Sequence, residues 1–309
     1  MSVRPAAAPR GFLLVVLAGL LWGTAGFTGS LVLERTDLGP LDIAWHRMTI
    51  GAAALAVAHR LTRRRRAAPA VRPARGVVAL LLLVGAGLAG YQLAYFAAVP
   101  AAGVSIATLV ALGLAPLLVA VGAALLGHGR PDTATVVALL TALVGLVLLV
   151  GFSAGGDGGS AVVLGAFLAT GSALGYAVVT LAGARVPAGV PVTLAGFAGG
   201  AVLLTPVVLL VGLRTTTEPL SLAMLLYLGL VPSALAYALF FTGIRTVPGA
   251  VASIVTLLEP LTATALATAF LGERLAPAAL AGGLLVLAAV TGLYVRRATA
   301  GREVPAALT

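Results

Sequence analysis

The sequence predicts an all-α membrane protein whose ten transmembrane helices form two inverted five-helix repeats. Hydrophobic residues make up 61% of the 309 residues and charged residues 9%. The mean hydropathy of +1.13 lies well outside the range of soluble domains. Apolar runs of membrane-spanning length follow one another with short connections, and a proline-containing pattern recurs about half a chain later.

Hydropathy divides the chain into ten apolar runs, each of about the 20 residues that a bilayer-crossing helix needs. The expected spans are 11–33, 39–59, 76–98, 102–126, 133–152, 160–184, 190–213, 219–243, 248–271 and 275–295. The first run is too long for the apolar region of a signal peptide, so we retain it as a helix. The expected organisation is an N-terminus at 1–10, a first repeat at 11–152, a glycine-rich linker at 153–159, a second repeat at 160–295 and a C-terminal tail at 296–309.

The placement of the basic residues, all 19 of which are arginine, predicts the orientation of the helices. With the N-terminus in the cytoplasm, 15 arginines fall on the cytoplasmic side and three on the outer side, while Arg47 lies inside a span. Arg63, Arg64, Arg65 and Arg66 are expected to anchor this topology, with binding to anionic lipid headgroups as a secondary role. The net charge of +10 therefore reflects topology, and no nucleic acid partner is expected. We predict a multi-pass protein of the inner (plasma) membrane with both termini in the cytoplasm.

A recurring pattern indicates that the two halves are related. Ala115-Pro116 is followed by an apolar run to Gly127, and Glu259-Pro260, 144 residues later, by an apolar run to Gly272. Pro116 and Pro260 are both expected to kink their helices. Because five helices per half is an odd number, the second half must cross the membrane in the opposite sense. Inverted repeats of this kind are common in secondary transporters and place a binding site near the bilayer midplane.

Arg47 and Glu259 are the most deeply placed charges in the chain. Arg47 lies about eight residues into its span, roughly 12 Å from the membrane boundary. A charge at that depth is costly and should face protein or a water-filled cavity. Either the two residues, or Arg47 with backbone carbonyls, form a buried pair that joins helices, or one or both line a transport cavity and bind a substrate carboxylate or amine. Proton coupling at Glu259 is a third alternative, and Asp42, nearer the membrane surface, is expected to be solvated.

Aromatic and polar side chains recur at helical spacing within several spans. Tyr91 and Tyr95 are four residues apart and share a helix face, with Gln92 beside them. We expect comparable positions, within other spans, for Trp22, Thr24, Tyr176 and Tyr237. Ordinary interhelical packing explains any one of these residues, but together they predict a moderately apolar cavity with a few polar points.

Other function classes lack the residues that they need. The chain has no cysteine, which excludes thiolate chemistry, and no phosphate-binding loop. His46, His59 and His128 do not have the spacing of metal ligands, and no catalytic constellation is visible. We therefore expect no enzyme activity, no metal and no cofactor.

These residues and motifs together resemble the EamA-like family of the drug/metabolite transporter superfamily. The resemblance covers nearly the whole chain and is carried by Trp22-Gly23, Arg47, Leu258-Glu259-Pro260 and Leu271-Gly272-Glu273-Arg274. It implies a central cavity lined by the first four helices of each half, with the fifth pair behind them and often in dimer contacts. The residues that it places near the cavity are Trp22, Tyr91, Tyr95, Tyr176, Tyr237 and Glu259.

One position departs from the family pattern. The fourth span usually ends in Gly-Glu, and here His128 takes the place of the acid. Family members mostly export amino acids, related metabolites or toxic compounds. The resemblance therefore implies an exporter of a small organic solute that works by alternating access in the lipid bilayer. A homodimer and proton coupling stay open, as do the alternatives of a channel-like facilitator or a non-transporting scaffold; a membrane-embedded enzyme is disfavoured.

Overall fold

The computed structural model describes residues 7–66, 74–127, 129–150, 160–271 and 276–300, and within these ranges the regular structure is helical throughout. The predicted linker 153–159, His128 and the Gly272-Glu273-Arg274 motif lie outside the described residues. The helices are α1 (Ala7–Arg35), α2 (Pro40–Arg66), α3 (Arg75–Leu125), α4 (Thr133–Val150), α5 (Ser160–Arg185), α6 (Val192–Val211), α7 (Pro219–Leu228), a π-helical segment (Gly229–Leu235), α8 (Ala236–Gly243), α9 (Gly249–Val255), α10 (Leu258–Leu271) and α11 (Pro277–Ala300).

Eight helical segments of the described chain are long and apolar enough to cross a membrane. They are Arg10–Arg35, Arg75–Gly103, Ile106–Leu125, Ser160–Arg185, Val192–Val211, Pro219–Gly243, Gly249–Phe270 and Pro277–Arg296. The prediction of an all-α, multi-pass membrane protein is therefore confirmed. The two other predicted spans fall on α2, which is polar and ends in an arginine cluster, and on the shorter α4. A total of ten spanning helices stays a prediction.

The third and fourth predicted spans form the single long helix α3, which is broken at Gly103. Gly103 has φ 80° and ψ 159°, a conformation that side-chain-bearing residues rarely adopt. No other residue of α3 departs from helical dihedral angles, so the helix continues through Pro116, where a kink stays a prediction, and the break lies at Gly103. Proline removes one backbone hydrogen bond, and the flanking turns of this apolar helix continue without it.

Two further interruptions lie in the second half. Thr256 and Leu257 form a turn between α9 and α10, so Pro260 lies in the first turn of α10, where its missing N–H costs no helical hydrogen bond. The seven-residue π-helical segment contains Pro232 and separates α7 from α8. Sequence analysis did not predict this segment.

Polar contacts define the two ends of the bundle. At one end, which we call the Asp37 end, the Arg214 side chain donates to the Asp37 carbonyl at 2.9 Å, and Arg35 lies 3.6 Å from Glu218. Asp42 was expected to be solvated, but it is only 8% exposed because its carboxylate accepts hydrogen bonds from the Gly39 and Arg214 amides.

The opposite end, which we call the Asp132 end, joins the carboxyl end of α11 to the start of α4. Arg296 lies 2.6 Å from Asp132, and Asp132 also accepts from the Thr135 amide. The hydrogen bond from Arg296 is the largest of several effects that hold the pKa of the Asp132 carboxyl well below its usual range. Nearby, the Arg185 side chain donates to the Leu126 carbonyl.

Helices of the first half of the chain pack against helices of the second half. α1 contacts α8 and α10 of the second half. α5 contacts α3 of the first half along both of its arms, which are the parts before and after the break at Gly103. α2 packs against α6, and α4 packs against α11. Apolar side chains such as Leu125 and Leu210, 82% and 89% exposed, cover the outside, as expected for a surface that faces lipid.

The α4–α11 contact depends on the close approach of Gly145 and Gly282. A Cβ atom at position 282 would collide with the Gly145 carbonyl oxygen and the Leu149 amide. Small residues at such crossings allow two backbones to pack directly. We therefore expect Gly282→Leu to lower the free energy of unfolding by about 1–3 kcal/mol or more, since neither backbone can yield easily.

The melting temperature of the detergent-purified variant measures this effect. Gly292→Leu is the matched control because Gly292 lies in the same helix with no atom within 4 Å of its added Cβ. Equal melting temperatures for the two variants would contradict the packing described at Gly282.

Candidate functional site: a central cavity

A cavity of about 460 Å³ lies between the two halves, and its lining extends to the exposed residues Leu33 and Pro40 at the Asp37 end. α1 lines it from Trp22 to Leu33, and α2 from its first residue, Pro40, to Arg47. The remaining walls come from α3, α5, α8, α9, the α9–α10 turn and α10. Most lining side chains are apolar or aromatic, with a few polar groups among them, as is usual for small-molecule sites.

Two charged side chains of opposite sign line the cavity, Arg47 of α2 and Glu259 of α10. Both are partly buried, and no nitrogen of Arg47 lies within 4.0 Å of a Glu259 carboxylate oxygen. Instead, Arg47 Nε donates a hydrogen bond of 3.2 Å to the Ser233 hydroxyl. The direct Arg47–Glu259 pair considered from the sequence is therefore absent in this conformation.

Close helix packing positions Glu259. A Cβ atom at Gly23 would collide with the Glu259 carbonyl oxygen and with the Thr262 side chain, so only glycine lets α1 come this near to α10. Glu259 also lies in the first turn of α10, where a carboxylate interacts favourably with the helix dipole.

The floor of the cavity is an aromatic cluster. The Tyr91 and Tyr237 hydroxyls lie 2.5 Å apart and join α3 to α8. The ring centroid of Trp22 lies 4.7 Å from that of Tyr237 and 5.2 Å from that of Phe240. Trp22 Nε1 is buried without a hydrogen-bond partner in the described part of the chain.

Hydrogen-bonded hydroxyl groups hold the two other tyrosines in the wall. The Tyr95 hydroxyl lies 2.7 Å from Thr108 Oγ1, which links the two arms of α3 across the break at Gly103. The Tyr176 hydroxyl lies 3.1 Å from Thr256 Oγ1, which links α5 to the turn before α10. These contacts hold the two hydroxyl groups, and both tyrosines line the cavity.

Buried apolar side chains fill the bundle between this floor and the Asp132 end. Val15 and Ala18 lie on the same face of α1 as Trp22, and both are fully buried. They belong to a buried apolar cluster that includes Phe241 and Val251. The cavity lining therefore reaches the surface at the Asp37 end, whereas buried apolar side chains lie between the cavity and the Asp132 end.

Eight of the nine predicted cavity residues line this one cavity: Trp22, Arg47, Tyr91, Gln92, Tyr95, Tyr176, Tyr237 and Glu259. Thr24 does not, because it lies on another face of α1, where its hydroxyl accepts a hydrogen bond of 2.8 Å from Tyr227. Pro116 and Pro260 are absent from the lining, although Ala115 and Glu259 beside them belong to it. Arg63, Arg64, Arg65 and Arg66 form the carboxyl end of α2.

Sequence reasoning missed several hydroxyl-bearing residues in the lining. These are Ser30, Thr108, Ser172, Ser253 and Thr256. Helical spacing gives a usable signal for three of them. Ser172 lies one turn before Tyr176, and Ser253, Thr256 and Glu259 follow one another at three-residue intervals.

The described helices define a multi-pass membrane protein with an internal cavity. The sequence profile of the EamA-like transporter family matches residues 9–151 and 163–295. The chain therefore belongs to the EamA-like transporter family, and it is a membrane transporter, as its relatives are also named.

Two relatives align over most of their length. An uncharacterized transporter, YwfM of Bacillus subtilis (strain 168), is 31% identical over 252 residues, which is 82% of each chain. An uncharacterized inner membrane transporter, YicL of Salmonella typhimurium, is 24% identical over 259 residues, 82% of this chain and 85% of its own. A solved structure described only as the crystal structure of a protein shares the fold, with a TM-score of 0.78, 24% identity, and coverage of 91% of this chain and 97% of its own.

Proposed function

We propose that the chain is a secondary transporter that exports a small organic metabolite, an amino acid or related compound, or a drug, by alternating access through the central cavity. The observation that carries this proposal is a cavity whose walls hold Arg47 and Glu259 without a direct contact between them. Each charge is costly at this depth, so each favours a ligand group of opposite sign.

A ligand with an amine and a carboxylate satisfies both charges at once. Glu259 would bind the amine and Arg47 the carboxylate, because a guanidinium matches the geometry of a carboxylate. The aromatic rings of Trp22, Tyr95 and Tyr176 would contact an apolar body. A volume of about 460 Å³ accommodates a molecule the size of an amino acid with room for water.

The arrangement of the helices supports two repeats that move against each other. The contacts of α1 with α8 and α10 match those of α5 with α3. In the α2–α6 and α4–α11 pairs, each helix packs against the helix at the same position in the other predicted repeat. The family profile also matches the two halves separately. Rocking of one half against the other would open the sealed floor and close the Asp37 end.

Orientation follows from the arginines. The rule that places basic residues in the cytoplasm puts both termini inside and the Asp37 end outside. The cavity would then face outward, and the cluster around Val15 and Ala18 would form the inner seal. Location in the inner membrane and net export belong to the same proposal. Export accords with the resemblance to family members that mostly carry solutes outward.

Proton coupling and a homodimer stay predictions. Glu259 has neither an ion pair nor a hydrogen bond from its carboxylate to another described side chain, so a proton and a ligand amine would compete for it. The α4–α11 pair, on which the resemblance places dimer contacts, is the surface to test for a homodimer.

Reconstituted liposomes test the proposal. We expect liposomes loaded with radiolabelled amino acids to release one or more of them faster with the protein than without it, and an imposed pH gradient to drive accumulation against the concentration gradient. Release without accumulation would support the facilitator alternative. Absence of flux for amino acids, related metabolites and cationic drugs alike would contradict transport and favour a scaffold.

A further inference from the structure

The π-helical segment has a chemical origin in Pro232. Proline has no amide hydrogen, so the Leu228 carbonyl, four residues earlier, loses its α-helical donor. In a π-helical turn the Ser233 amide, five residues after Leu228, becomes the backbone donor to that carbonyl, and the Ser233 hydroxyl also donates to it at 2.7 Å. The Pro232-Ser233 sequence thus fixes the Ser233 side chain within a widened helical turn, and such turns are frequent at functional sites.

The Ser233 hydroxyl then serves as an acceptor for Arg47. A serine hydroxyl has one hydrogen, and here the Leu228 carbonyl binds it, so only its lone pairs remain. Arg47 Nε donates to them at 3.2 Å. Ser233 is 1% exposed and does not line the cavity, so it meets Arg47 from behind the cavity wall.

This contact determines which edge of the guanidinium faces the cavity. Nε is used on Ser233, whereas the terminal nitrogens Nη1 and Nη2 have no acceptor among the described residues. Arg47 itself lines the cavity. With Nε bound to Ser233, the two terminal nitrogens are the pair left to bind both oxygens of one carboxylate in parallel.

We propose that Ser233 is a positioning residue that holds Arg47 so that its two terminal nitrogens bind a ligand carboxylate. The proposal rests on the proposed function and deepens it by assigning a determinant of carboxylate specificity outside the cavity. Ser233 itself contacts no ligand group, because it does not line the cavity. It restricts the rotation of Arg47, so the carboxylate meets a guanidinium that is already oriented.

The contact between Ser233 and Arg47 is measurable without a ligand. Protein labelled with ¹⁵N at arginine Nε gives one Nε–H signal for Arg47, which Arg47→Lys identifies by its loss. We expect Ser233→Ala to raise the solvent-exchange rate of this Nε–H about tenfold, because its acceptor is gone. Thr49→Val, the matched control, removes a buried hydroxyl of α2 that has no partner among the described residues, and should leave the rate unchanged. An unchanged rate in Ser233→Ala overturns the proposal.

The functional readout is the preference for carboxylate-bearing probes. Liposomes containing wild type or Ser233→Ala are tested with the apolar L-amino acids and with the amines that lack only their carboxylates. We expect the ratio of amino acid to amine transport to fall about tenfold in Ser233→Ala, with amine transport and melting temperature retained. A purely structural role would lower both transport rates together and keep the ratio, which overturns the proposal. Failure of wild type to transport any probe counts against the proposed function, and the exchange rate still decides whether Ser233 holds Arg47.

Discussion

Glu259→Gln is expected to lower transport at least about tenfold while the protein still inserts and folds. The amide preserves the size of the side chain but removes the charge that would bind a ligand amine, and a hydrogen bond to a charged group contributes about 1.5–3 kcal/mol. Folding should not suffer, because a carboxylate without an ion-pair partner is costly in an apolar cavity. The melting temperature of the variant should therefore equal or exceed that of wild type.

The initial rate of release from proteoliposomes measures the effect of Glu259→Gln. Glu34→Gln is the matched control, since Glu34 is exposed near the end of α1 and does not line the cavity. Both amino acids and their amine analogues should be affected by the loss of Glu259. Wild-type rates from a stably folded Glu259→Gln would remove Glu259 from the mechanism.

Arg47→Met is expected to abolish the preference for carboxylate-bearing ligands. Methionine keeps an apolar chain of similar path but has no donor for a carboxylate, so amino acid transport should fall by about tenfold or more. Transport of the corresponding amines should persist, because they rely on Glu259. Stability should be retained, since a deeply placed charge is replaced by an apolar group.

Parallel flux measurements on an amino acid and its amine separate this effect from general damage. Arg60→Met serves as control because Arg60 is an exposed arginine of the same helix and does not line the cavity. If Arg47→Met reduced both ligands equally, Arg47 would have a structural rather than a recognition role.

The helices were predictable because a bilayer requires long apolar runs with internally bonded backbones. The length of the apolar runs located the helices. The depth of Arg47 and Glu259 pointed to the cavity, since charges inside a membrane usually face protein or a water-filled space. The tyrosines followed from helical spacing. Which face of α1 lines the cavity was not predictable from spacing, since Trp22 and Thr24 are two residues apart and contact different neighbours.

Local backbone geometry was less predictable than helix location. The break in α3 at Gly103 was not predicted; there the chain needs a positive φ that glycine adopts without strain. The π-helical segment contains Pro232, whose missing N–H is followed by the Ser233 hydroxyl as an additional donor to the Leu228 carbonyl, a combination that hydropathy does not detect. The burial of Asp42 could not be predicted, because its partners, the Gly39 and Arg214 amides, come close to it only in the folded protein.

Single cysteines test most directly whether the cavity is a substrate site that alternates between the two ends, because the chain has no cysteine of its own. Ser30→Cys places a thiol in the cavity wall, and Ala18→Cys places one below the floor on the face of α1 that carries Trp22. A membrane-impermeant maleimide is applied from each side, with and without a transported amino acid. We expect Ser30→Cys to be labelled from the Asp37 side and protected by the amino acid, and Ala18→Cys to be labelled from the Asp132 side only during transport. Labelling of Ala18→Cys from the Asp37 side, or Ser30→Cys labelling that no transported solute changes, would contradict an alternating substrate cavity.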